Sequence, residues 1–348
     1  MNRPADLHAP CAALLAAANV CASIRSLVPC NAGGNNRTYR LETSAGVFAV
    51  KQYFRHEGDT RDRLAAEFDF LVYAAKAAPG MAPAPLAKSA ANGLALFEFI
   101  EGCPYQAGEI AWEHVDSAAR FFRALNDPVA RMEAATLPLA SEACFSITEH
   151  LNLIAARLDR LRTVDVTSNE DRAAQALTTQ IHARWLELKD EVSAASRSIG
   201  PDPAAHLEPA QRCISPSDFG FHNALAQSDG TPRFLDFEYA GWDDPAKMTG
   251  DFFAQLAVPV PTDLFDRFVQ EASAALPRPD ELAERARLLR PVYQVKWCCI
   301  ALNVFLPVNL ARRKFADPTL DEDALKRAQL AKAATLFQSI ATYDHGLY

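Results

Sequence analysis

The strongest signal in the chain is the stretch Ser-Pro-Ser-Asp-Phe-Gly-Phe-His-Asn at residues 215–223, followed by Phe-Leu-Asp-Phe-Glu at residues 234–238. The first segment places Asn223 five residues after Asp218, and the second supplies Asp236. The turn-forming sequence between the segments predicts a β-hairpin, which would bring Asn223 and Asp236 to the same end of a strand pair. The pattern therefore predicts a cluster of side chains with hard oxygen atoms.

Composition limits the classes of protein to which the chain can belong. Its 348 residues can build one large hydrophobic core or two modest ones, and 49% hydrophobic with 22% charged residues is ordinary for a globular protein. The formal net charge of −8 disfavours nucleic-acid binding, which usually needs a basic surface. No apolar run is long enough to span a bilayer, so we expect neither a nucleic acid nor a membrane as a partner.

Cysteine usage indicates the cellular compartment. The eight cysteines are scattered and form no CxxC pair. This pattern is typical of reduced thiols rather than of disulfides or a zinc site, and it predicts a cytoplasmic location. The apolar segment 11–24 resembles a signal peptide, but it is short, Asn19 interrupts it and only Arg3 precedes it as a basic residue. We therefore predict an amphipathic helix there.

The first third of the chain alternates between strand and turn signals. The strand pattern begins at Val28. Residues 38–41 and 47–51 predict two strands separated by a turn, and residues 94–100 predict another strand. Between them, apolar residues recur at three- and four-residue spacing over residues 59–78, which predicts a helix. An antiparallel sheet with this helix, in addition to the N-terminal helix, is therefore the expected arrangement for residues 1–101.

Beyond Gly102 we predict a mainly helical chain that carries one hairpin, at residues 224–235. Helical periodicity occurs near residues 112–126, 146–162, 170–196, 262–276, 280–305 and 321–341. The sequence thus predicts an α+β fold with two lobes. The small lobe, residues 1–101, would hold an antiparallel sheet and an N-terminal helix, and the larger lobe, residues 102–348, would be mainly helical.

The order of these elements and the 218–236 block resemble the aminoglycoside phosphotransferase and choline kinase families, which are small-molecule kinases with a protein-kinase-like fold. The resemblance covers roughly residues 28–251. Similar proteins read His-Gly-Asp, four residues and Asn at the first site, and Ile-Asp-Phe-Glu at the second. Here Pro216-Ser217 replaces the His-Gly pair. The resemblance implies that the small lobe binds a nucleotide and that the larger lobe carries the catalytic loop and the acceptor site.

The same resemblance implies roles for the three polar residues of the motif. Asp218 would be the catalytic carboxylate, which orients the acceptor hydroxyl and takes up its proton. Asn223 and Asp236 would bind Mg²⁺. The nucleotide would be ATP, with GTP not excluded, and the partner would be a small molecule with a hydroxyl group. Taken alone, Asp218 would be interpreted as an ordinary turn residue.

Lys51 ends the predicted strand 47–51, where the resemblance implies a lysine that neutralises the nucleotide phosphates. A lysine at a strand end is usually a solvated charge, so its neighbours decide the interpretation. Glu67, within the following helix, is the best candidate for a carboxylate that directs it. Glu57 and Asp69 are weaker candidates.

Two further segments would contact the nucleotide. Gly33, Gly34 and Asn35 lie where the family keeps a loop over the nucleotide, and glycines let backbone N–H groups approach phosphate oxygens. The same residues are equally good turn formers, so this signal is weak. Backbone groups near Glu98 and Ile100, at the end of strand 94–100, would pair with the adenine edge.

Other polar residues near the motif admit two interpretations each. Glu238 either supports the metal site or is an exposed carboxylate, and Asp244 is favoured as structural rather than catalytic. His222 is favoured as a loop histidine held by backbone hydrogen bonds rather than as a metal or phosphate contact. Lys296 and Trp297 are favoured as core residues rather than as the lining of an acceptor pocket.

Two other functions remain open at this point. One is a catalytically silent, nucleotide-binding pseudokinase that acts as an interaction module. The other is an unrelated hydrolase with a metal site made of Asp218, His222 and Asp236, although that spacing matches common hydrolase signatures poorly. The sequence indicates neither the identity of the acceptor nor the oligomeric state.

Overall fold

The structure is a computed structural model that describes residues 7–30, 36–55, 61–200 and 202–341. Within these residues, a five-stranded antiparallel sheet comes first, and a mainly helical part with two small sheets follows. The predicted α+β fold, with a small sheet-containing part and a larger helical part, is confirmed. The division of the chain at residues 101 and 102 stays a prediction.

The first sheet positions Lys51. Its strands are β1 (Ile24–Cys30), β2 (Arg37–Thr43), β3 (Gly46–Gln52), β4 (Pro85–Ser89) and β5 (Leu94–Glu98). Their spatial order is β1-β2-β3-β5-β4, and all neighbours are antiparallel. β3 is central, so Lys51 near its end lies between Thr38 of β2 and Ala95 of β5.

The sequence pattern does not predict β4, and it places the start of β1 too late. β4 begins at Pro85, in a segment whose prolines indicate only the end of a helix. Proline is tolerated in an edge strand, and β4 is an edge strand. β1 begins at Ile24, whereas strand chemistry in the sequence begins at Val28.

The N-terminal helix covers one face of this sheet. α1 (His8–Ala17) overlaps the segment 11–24 that is expected to be helical, but it begins and ends earlier. It ends earlier because Asn19 adopts a left-handed φ of 57° and β1 soon follows. Its apolar residues share a buried cluster with the sheet. The cluster includes Leu7, Cys11, Leu14, Leu15, Leu41, Val50, Leu94 and Leu96.

The helix after β3 begins at a capping residue. In α2 (Arg63–Ala77), the Asp62 side chain accepts a hydrogen bond from the N–H of Ala65 at 2.9 Å, which satisfies one of the free donors of the first turn. The predicted start at residue 59 lies outside the described residues. The inner face of α2 buries Glu67 among apolar side chains.

The helical part is built around one long central helix. Its helices are α3 (Trp112–Leu125), α4 (Ile147–Leu161), α5 (Asn169–Ile199), α6 (Pro245–Ala254), α7 (Phe265–Ser273), α8 (Pro279–Leu302), α9 (Pro307–Ala316) and α10 (Glu322–Ala341). α8 packs against α4, α5, α6, α7 and α10. The sequence does not predict α6, because every one of its residues is buried and a helix buried on all sides has no polar face to reveal its period.

Two small sheets flank the motif at residues 215–238. One pairs β7 (Cys213–Ser215) with β10 (Gly241–Asp243). The other contains β6 (Cys103–Pro104), β8 (Ala224–Ala226) and β9 (Pro232–Phe234) in the order β6-β8-β9. The predicted hairpin is thus present as β8 and β9, which the turn between them reveals. β7 and β10 are equally short but lie far apart in sequence, so no connecting turn indicates them.

No single helix in the described part of the chain is both long and apolar enough to cross a membrane. The segments Pro279–Phe305 and Pro307–Ala316 meet the requirements of length and composition only as a pair, and that pair is bent by 76°.

Candidate active site

The ammonium group of Lys51 links the sheet to two other elements. Its Nζ lies 2.6 Å from Oε2 of Glu67 on α2 and 2.5 Å from Oδ1 of Asp236. Lys51 is only 8% exposed. Burial lowers the pKa of Lys51, but the negative charges of Asp236, Glu67 and Glu238 outweigh it and hold that pKa above its ordinary value. The ammonium is therefore charged throughout the neutral pH range.

The carboxylate of Glu67 is fixed by further donors. Oε2 also accepts a hydrogen bond from the hydroxyl of Tyr53 at 2.7 Å, and Oε1 accepts one from the N–H of Phe237 at 3.2 Å. Tyr53 follows β3, and Phe237 follows Asp236. Glu67 therefore connects α2 to both segments that meet at the Lys51 ammonium, and it determines where that ammonium points.

Of the two weaker candidate partners of Lys51, only Asp69 is described by the structure, and it pairs with another lysine. Asp69, also on α2, pairs with the partly exposed Lys88 at 2.6 Å. Glu57 lies outside the described residues. Among the candidates that the structure describes, only Glu67 is beside Lys51.

Hydrogen bonds within one short loop join Asp218 to Asn223. β7 leads into this loop, and a 3₁₀ turn at Phe221–Asn223 ends it. Nδ2 of Asn223 donates to the backbone carbonyl of Asp218 at 2.9 Å and lies 3.4 Å from its Oδ2. These bonds commit the amide nitrogen of Asn223, whereas its amide oxygen accepts no hydrogen bond from the described residues.

The side chain of Asp218 is partly open to solvent. It is 32% exposed, and its Oδ1 lies 3.2 Å from Nε2 of His222. Burial raises the pKa of Asp218, but His222, Lys296 and Asn223 together outweigh this effect and bring that pKa below its ordinary value. Asp218 is therefore a charged carboxylate at neutral pH and is accessible to a ligand.

The hairpin returns the chain to Asn223, as the sequence predicts. The N–H of Leu235 donates to the carbonyl of Asn223 at 2.8 Å, so Asp236 follows immediately beside it. Asp236 has a left-handed φ of 63°, which turns the backbone out of the strand direction. This turn aims its carboxylate at Lys51.

Glu238 is buried, so its interpretation as an exposed carboxylate is wrong. The strand ends at Phe234, before the left-handed turn at Asp236, and therefore does not continue to Glu238. The carboxylate accepts hydrogen bonds from Nδ2 of Asn36 at 2.7 Å and from Nη1 of Arg63 at 2.9 Å. It thus ties the segment after Asp236 to the starts of β2 and α2.

Comparison with known proteins identifies the family. Residues 26–287 match the model of the phosphotransferase enzyme family, which is most of the chain. The chain belongs to this family. No curated protein matches it in a sequence search.

Solved structures of similar fold support the protein-kinase-like architecture of this phosphotransferase. A choline/ethanolamine kinase family protein from Mesorhizobium loti is 19% identical, with a TM-score of 0.57 over 94% of this chain and 93% of the other. Choline kinase from Cryptosporidium parvum Iowa II is 14% identical, with a TM-score of 0.55 and 91% of each chain covered. Spectinomycin phosphotransferase APH(9)-Ia is 10% identical, with a TM-score of 0.56 over 88% of this chain and 93% of the other. The predicted fold class is confirmed.

The donor set of the phosphotransferase fits Mg²⁺. Mg²⁺ takes hard oxygen ligands and commonly uses one or two protein groups together with substrate phosphates and water. Asp236 offers a carboxylate and Asn223 offers the amide oxygen described above. In the described part of the chain, no group of three or more His, Cys, Asp or Glu could hold a metal. That finding contradicts a hydrolase metal site made of Asp218, His222 and Asp236.

Ser217 occupies a strained backbone conformation directly before Asp218. Its φ is 66°, in the left-handed region that favours glycine. The family pattern His-Gly-Asp, which the sequence resemblance implies, also has glycine at this place. The Ser217 N–H donates to Oγ of Ser215 at 3.0 Å, and that bond helps to hold the turn. A non-glycine residue in this conformation destabilises the folded protein by about 1–2 kcal/mol.

We expect Ser217→Gly to raise the free energy of unfolding by about 0.5–1 kcal/mol, because the strain relieved exceeds the entropy that glycine adds to the unfolded chain. Chemical denaturation measures this change. Ser215→Gly is the matched control, since Ser215 lies in β7 and accepts the bond from Ser217; it should lower the stability. A loss of stability in Ser217→Gly would contradict the strain argument.

The predicted nucleotide contacts of the small lobe are only partly described. Gly33, Gly34 and Asn35 lie outside the described residues. Glu98 ends β5, and its N–H donates to the carbonyl of Ala84 at 2.9 Å. Ile100 follows as a buried residue. The adenine contact near Glu98 and Ile100 stays a prediction.

Asp244 is built into the core, in agreement with its structural interpretation. It caps α6 by accepting a hydrogen bond from the N–H of Ala246 at 2.7 Å. Its Oδ2 lies 2.6 Å from Nε of Arg285 and 3.0 Å from Nε2 of His150. Burial raises the pKa of Asp244, but Arg285 and His150 outweigh it and hold that pKa well below its ordinary value.

The structure corrects one further expectation and refines another. His222 is not held by backbone hydrogen bonds; its Nε2 contacts the Asp218 carboxylate instead. Lys296 is buried, as expected, and its Nζ contacts both carboxylate oxygens of Asp251 at 2.9 and 2.7 Å. Trp297 donates from Nε1 to the same carboxylate at 2.9 Å. A four-residue spacing indicates a side-chain contact only on a helix, and Asp218 lies in a loop, so the sequence did not reveal this contact.

Proposed function

We propose that the protein is an ATP-dependent kinase that transfers the γ-phosphoryl group to a hydroxyl of a small molecule. The observation that carries the proposal is the position of the Lys51 ammonium between Glu67 and Asp236. In protein kinases, phosphoryl transfer needs an ion pair between a strand lysine and a helix glutamate, together with a metal-binding aspartate from a loop.

On the nucleotide side, each residue has a role that its contacts support. Lys51 would bind phosphate oxygens and neutralise their charge, while Glu67 holds its direction. Asp236 and Asn223 would hold Mg²⁺. When bound, Mg²⁺ neutralises phosphate charge and orients the phosphates. Because Asp236 already contacts Lys51, the cation and the lysine would lie on neighbouring sides of the same phosphates.

On the acceptor side, Asp218 would accept a hydrogen bond from the hydroxyl and take up its proton. The bond formed is that between the acceptor oxygen and the γ-phosphorus, and the bond broken is that between the γ-phosphorus and the β,γ-bridging oxygen. The products are the phosphorylated alcohol and ADP. Asp218 suits this role because it is charged, partly exposed and joined to Asn223 through its own backbone carbonyl.

Related structures support the choice of nucleotide and acceptor class. Spectinomycin phosphotransferase APH(9)-Ia, which has the same fold, has been solved with ADP and spectinomycin and with AMP. The other neighbours include choline and ethanolamine kinases. We therefore propose an adenine nucleotide and an aminoglycoside-, choline- or sugar-like acceptor, with residues 1–101 as the nucleotide lobe and residues 102–348 as the acceptor lobe.

The cysteines, none of which forms a disulfide, are compatible with the proposed cytoplasmic location.

We expect ATP with Mg²⁺ to stabilise the folded protein, because a ligand that binds only the native state shifts the unfolding equilibrium. When the ligand concentration is about 100 times its dissociation constant, the free energy of unfolding rises by about 2.7 kcal/mol. Thermal shift assays with ATP, GTP and ADP, with and without Mg²⁺, measure this effect. The absence of a shift with every purine nucleotide at millimolar concentration would contradict the proposal.

A panel of hydroxyl-bearing acceptors then identifies the substrate through the release of ADP. The panel contains aminoglycosides, choline, ethanolamine and amino sugars. Binding of ATP without transfer to any acceptor would favour the second candidate function, a catalytically silent nucleotide-binding module. The retention of Lys51, Glu67, Asp218 and Asp236 in the sequence argues against that alternative.

A further inference from the structure

His222 is the neighbour that contacts the side chain of Asp218 most directly. Its Nε2 lies 3.2 Å from Oδ1, whereas the amide of Asn223 lies 3.4 Å from Oδ2. The stronger bond of Asn223 goes to the backbone carbonyl of Asp218 instead. The orientation of the Asp218 carboxylate about its last bond therefore depends mainly on His222, since such terminal torsions are otherwise broad.

The imidazole ring of His222 lies in a shaped slot. On one side it meets Trp297 edge-on, with ring centroids 6.2 Å apart and an angle of 84° between the planes. Trp297 is itself anchored by its bond to Asp251. On another side the ring lies against the backbone of Gly220, where an added Cβ would come within 2.9 Å of Nδ1. The position of the ring is therefore set by packing.

The other nitrogen of this ring, Nδ1, is buried and lacks a hydrogen-bond partner among the described residues. A buried polar atom without a partner costs about 1–3 kcal/mol, and an apolar side chain could fill the same slot without that cost. Within the part of the chain that the structure describes, the ring makes one polar contact in exchange, from Nε2 to Asp218. This contact implies the tautomer with hydrogen on Nε2.

We propose that His222 is a positioning residue that orients the Asp218 carboxylate toward the acceptor hydroxyl. Its Nε2–H holds Oδ1, which leaves Oδ2 as the oxygen that faces the acceptor. The inference rests on the proposed function, in which Asp218 acts on that hydroxyl. A displacement of about 1 Å in a reacting group can cost about 100-fold in rate, so loss of this contact should affect turnover far more than nucleotide binding.

The test combines variants of His222 with a variant of Asp218. His222→Leu removes the donor, and His222→Gln restores an N–H near the position of Nε2. We measure ADP release with the acceptor that the panel identifies and, in parallel, with water as the acceptor, together with the dissociation constant of ATP·Mg²⁺. His222→Leu should lower kcat about 10- to 100-fold at unchanged nucleotide affinity. His222→Gln should recover kcat to within about 3-fold of the wild type.

A double-mutant cycle separates positioning from general damage. If His222 acts through Asp218, then His222→Leu should change kcat less than about 2-fold when Asp218→Asn is already present. The methyl group added by Gly220→Ala would press on the His222 ring. This variant should therefore lower kcat, as His222→Leu does. His206→Leu is the control, because His206 also contacts a carboxylate, that of Glu149 at 3.1 Å, but outside the site; it should leave kcat unchanged.

One measurement does not depend on turnover. In protein with ¹⁵N-labelled histidine, the His222 resonances, assigned by their loss in His222→Gln, should show hydrogen on Nε2, and Asp218→Ala should shift the Nε2 resonance. An unshifted Nε2, an unchanged kcat in His222→Leu, equal losses in the Leu and Gln variants, or additive effects in the cycle would each overturn the proposal. If the NMR contact holds but Asp218→Asn leaves turnover intact, it is the proposed function that fails.

Discussion

Asp218→Asn is expected to lower turnover by about 10²- to 10⁴-fold, the range typical for the loss of a general base. Asparagine keeps the size of the side chain but cannot take up the proton of the acceptor hydroxyl. The affinity for ATP·Mg²⁺ should stay nearly unchanged, because Asn223 is held mainly through the backbone carbonyl of Asp218, which the substitution retains. Steady-state ADP release and nucleotide titration measure the two quantities.

The control for this variant is Asp229→Asn. Asp229 lies in the turn between β8 and β9, where its carboxylate accepts hydrogen bonds from Thr231. This turn is at the end of the hairpin opposite to Asn223 and Asp236. Replacement of Asp229 should leave turnover unchanged. Full activity in Asp218→Asn would show that the motif is assigned to the wrong chemistry. An inactive wild type that still binds ATP tightly would instead support the silent alternative.

The sequence predicts most of the candidate site because its residues lie in short segments whose geometry is set locally. Asn223 and Asp236 meet because a hairpin joins them, and a hairpin is recognisable from Ser228-Asp229-Gly230 and its flanking strands. The proximity of Lys51 and Glu67 involves two separate elements. It was predictable only because the resemblance implies how a strand and the following helix pack.

The contacts missed by the sequence depend on side-chain burial and backbone turns that no local pattern encodes. Glu238 is buried because Asp236 turns the chain out of the strand, and the sequence does not reveal that a non-glycine residue adopts a left-handed φ. α6 is hidden for a related reason, since burial on all sides removes its amphipathic signal. The acceptor remains open because it would be bound by side chains from distant helices.

Lys51→Met is expected to remove the stabilisation by ATP·Mg²⁺ and to lower the free energy of unfolding by about 3–5 kcal/mol at pH 7. The substitution removes the positive charge that would bind phosphate. It also leaves the carboxylates of Glu67 and Asp236 facing each other without the ammonium that now lies 2.6 and 2.5 Å from them. Thermal shift and chemical denaturation measure the two effects.

The stability loss should depend on pH. Burial raises the pKa of Glu67, and Lys51 opposes this effect in the wild type, so the pKa of Glu67 should rise further in the variant. A carboxyl with a raised pKa in the folded state binds more protons when folded than when unfolded. Stability must then fall as the pH rises from the unfolded pKa toward the folded one. The deficit of Lys51→Met should therefore be smaller at pH 5 than at pH 7.

Two further variants separate folding from binding. Lys88→Met removes a partly exposed lysine whose pair with Asp69 is a surface contact; it should change stability by no more than about 1 kcal/mol and keep the full nucleotide response. Lys51→Arg keeps a positive charge between Glu67 and Asp236, so this variant should remain folded. The planar guanidinium group of arginine differs in shape from the compact ammonium, so the response to ATP·Mg²⁺ should be weaker. If Lys51→Met kept a full nucleotide response, the phosphates could not be bound at this lysine, and the nucleotide would have to lie elsewhere.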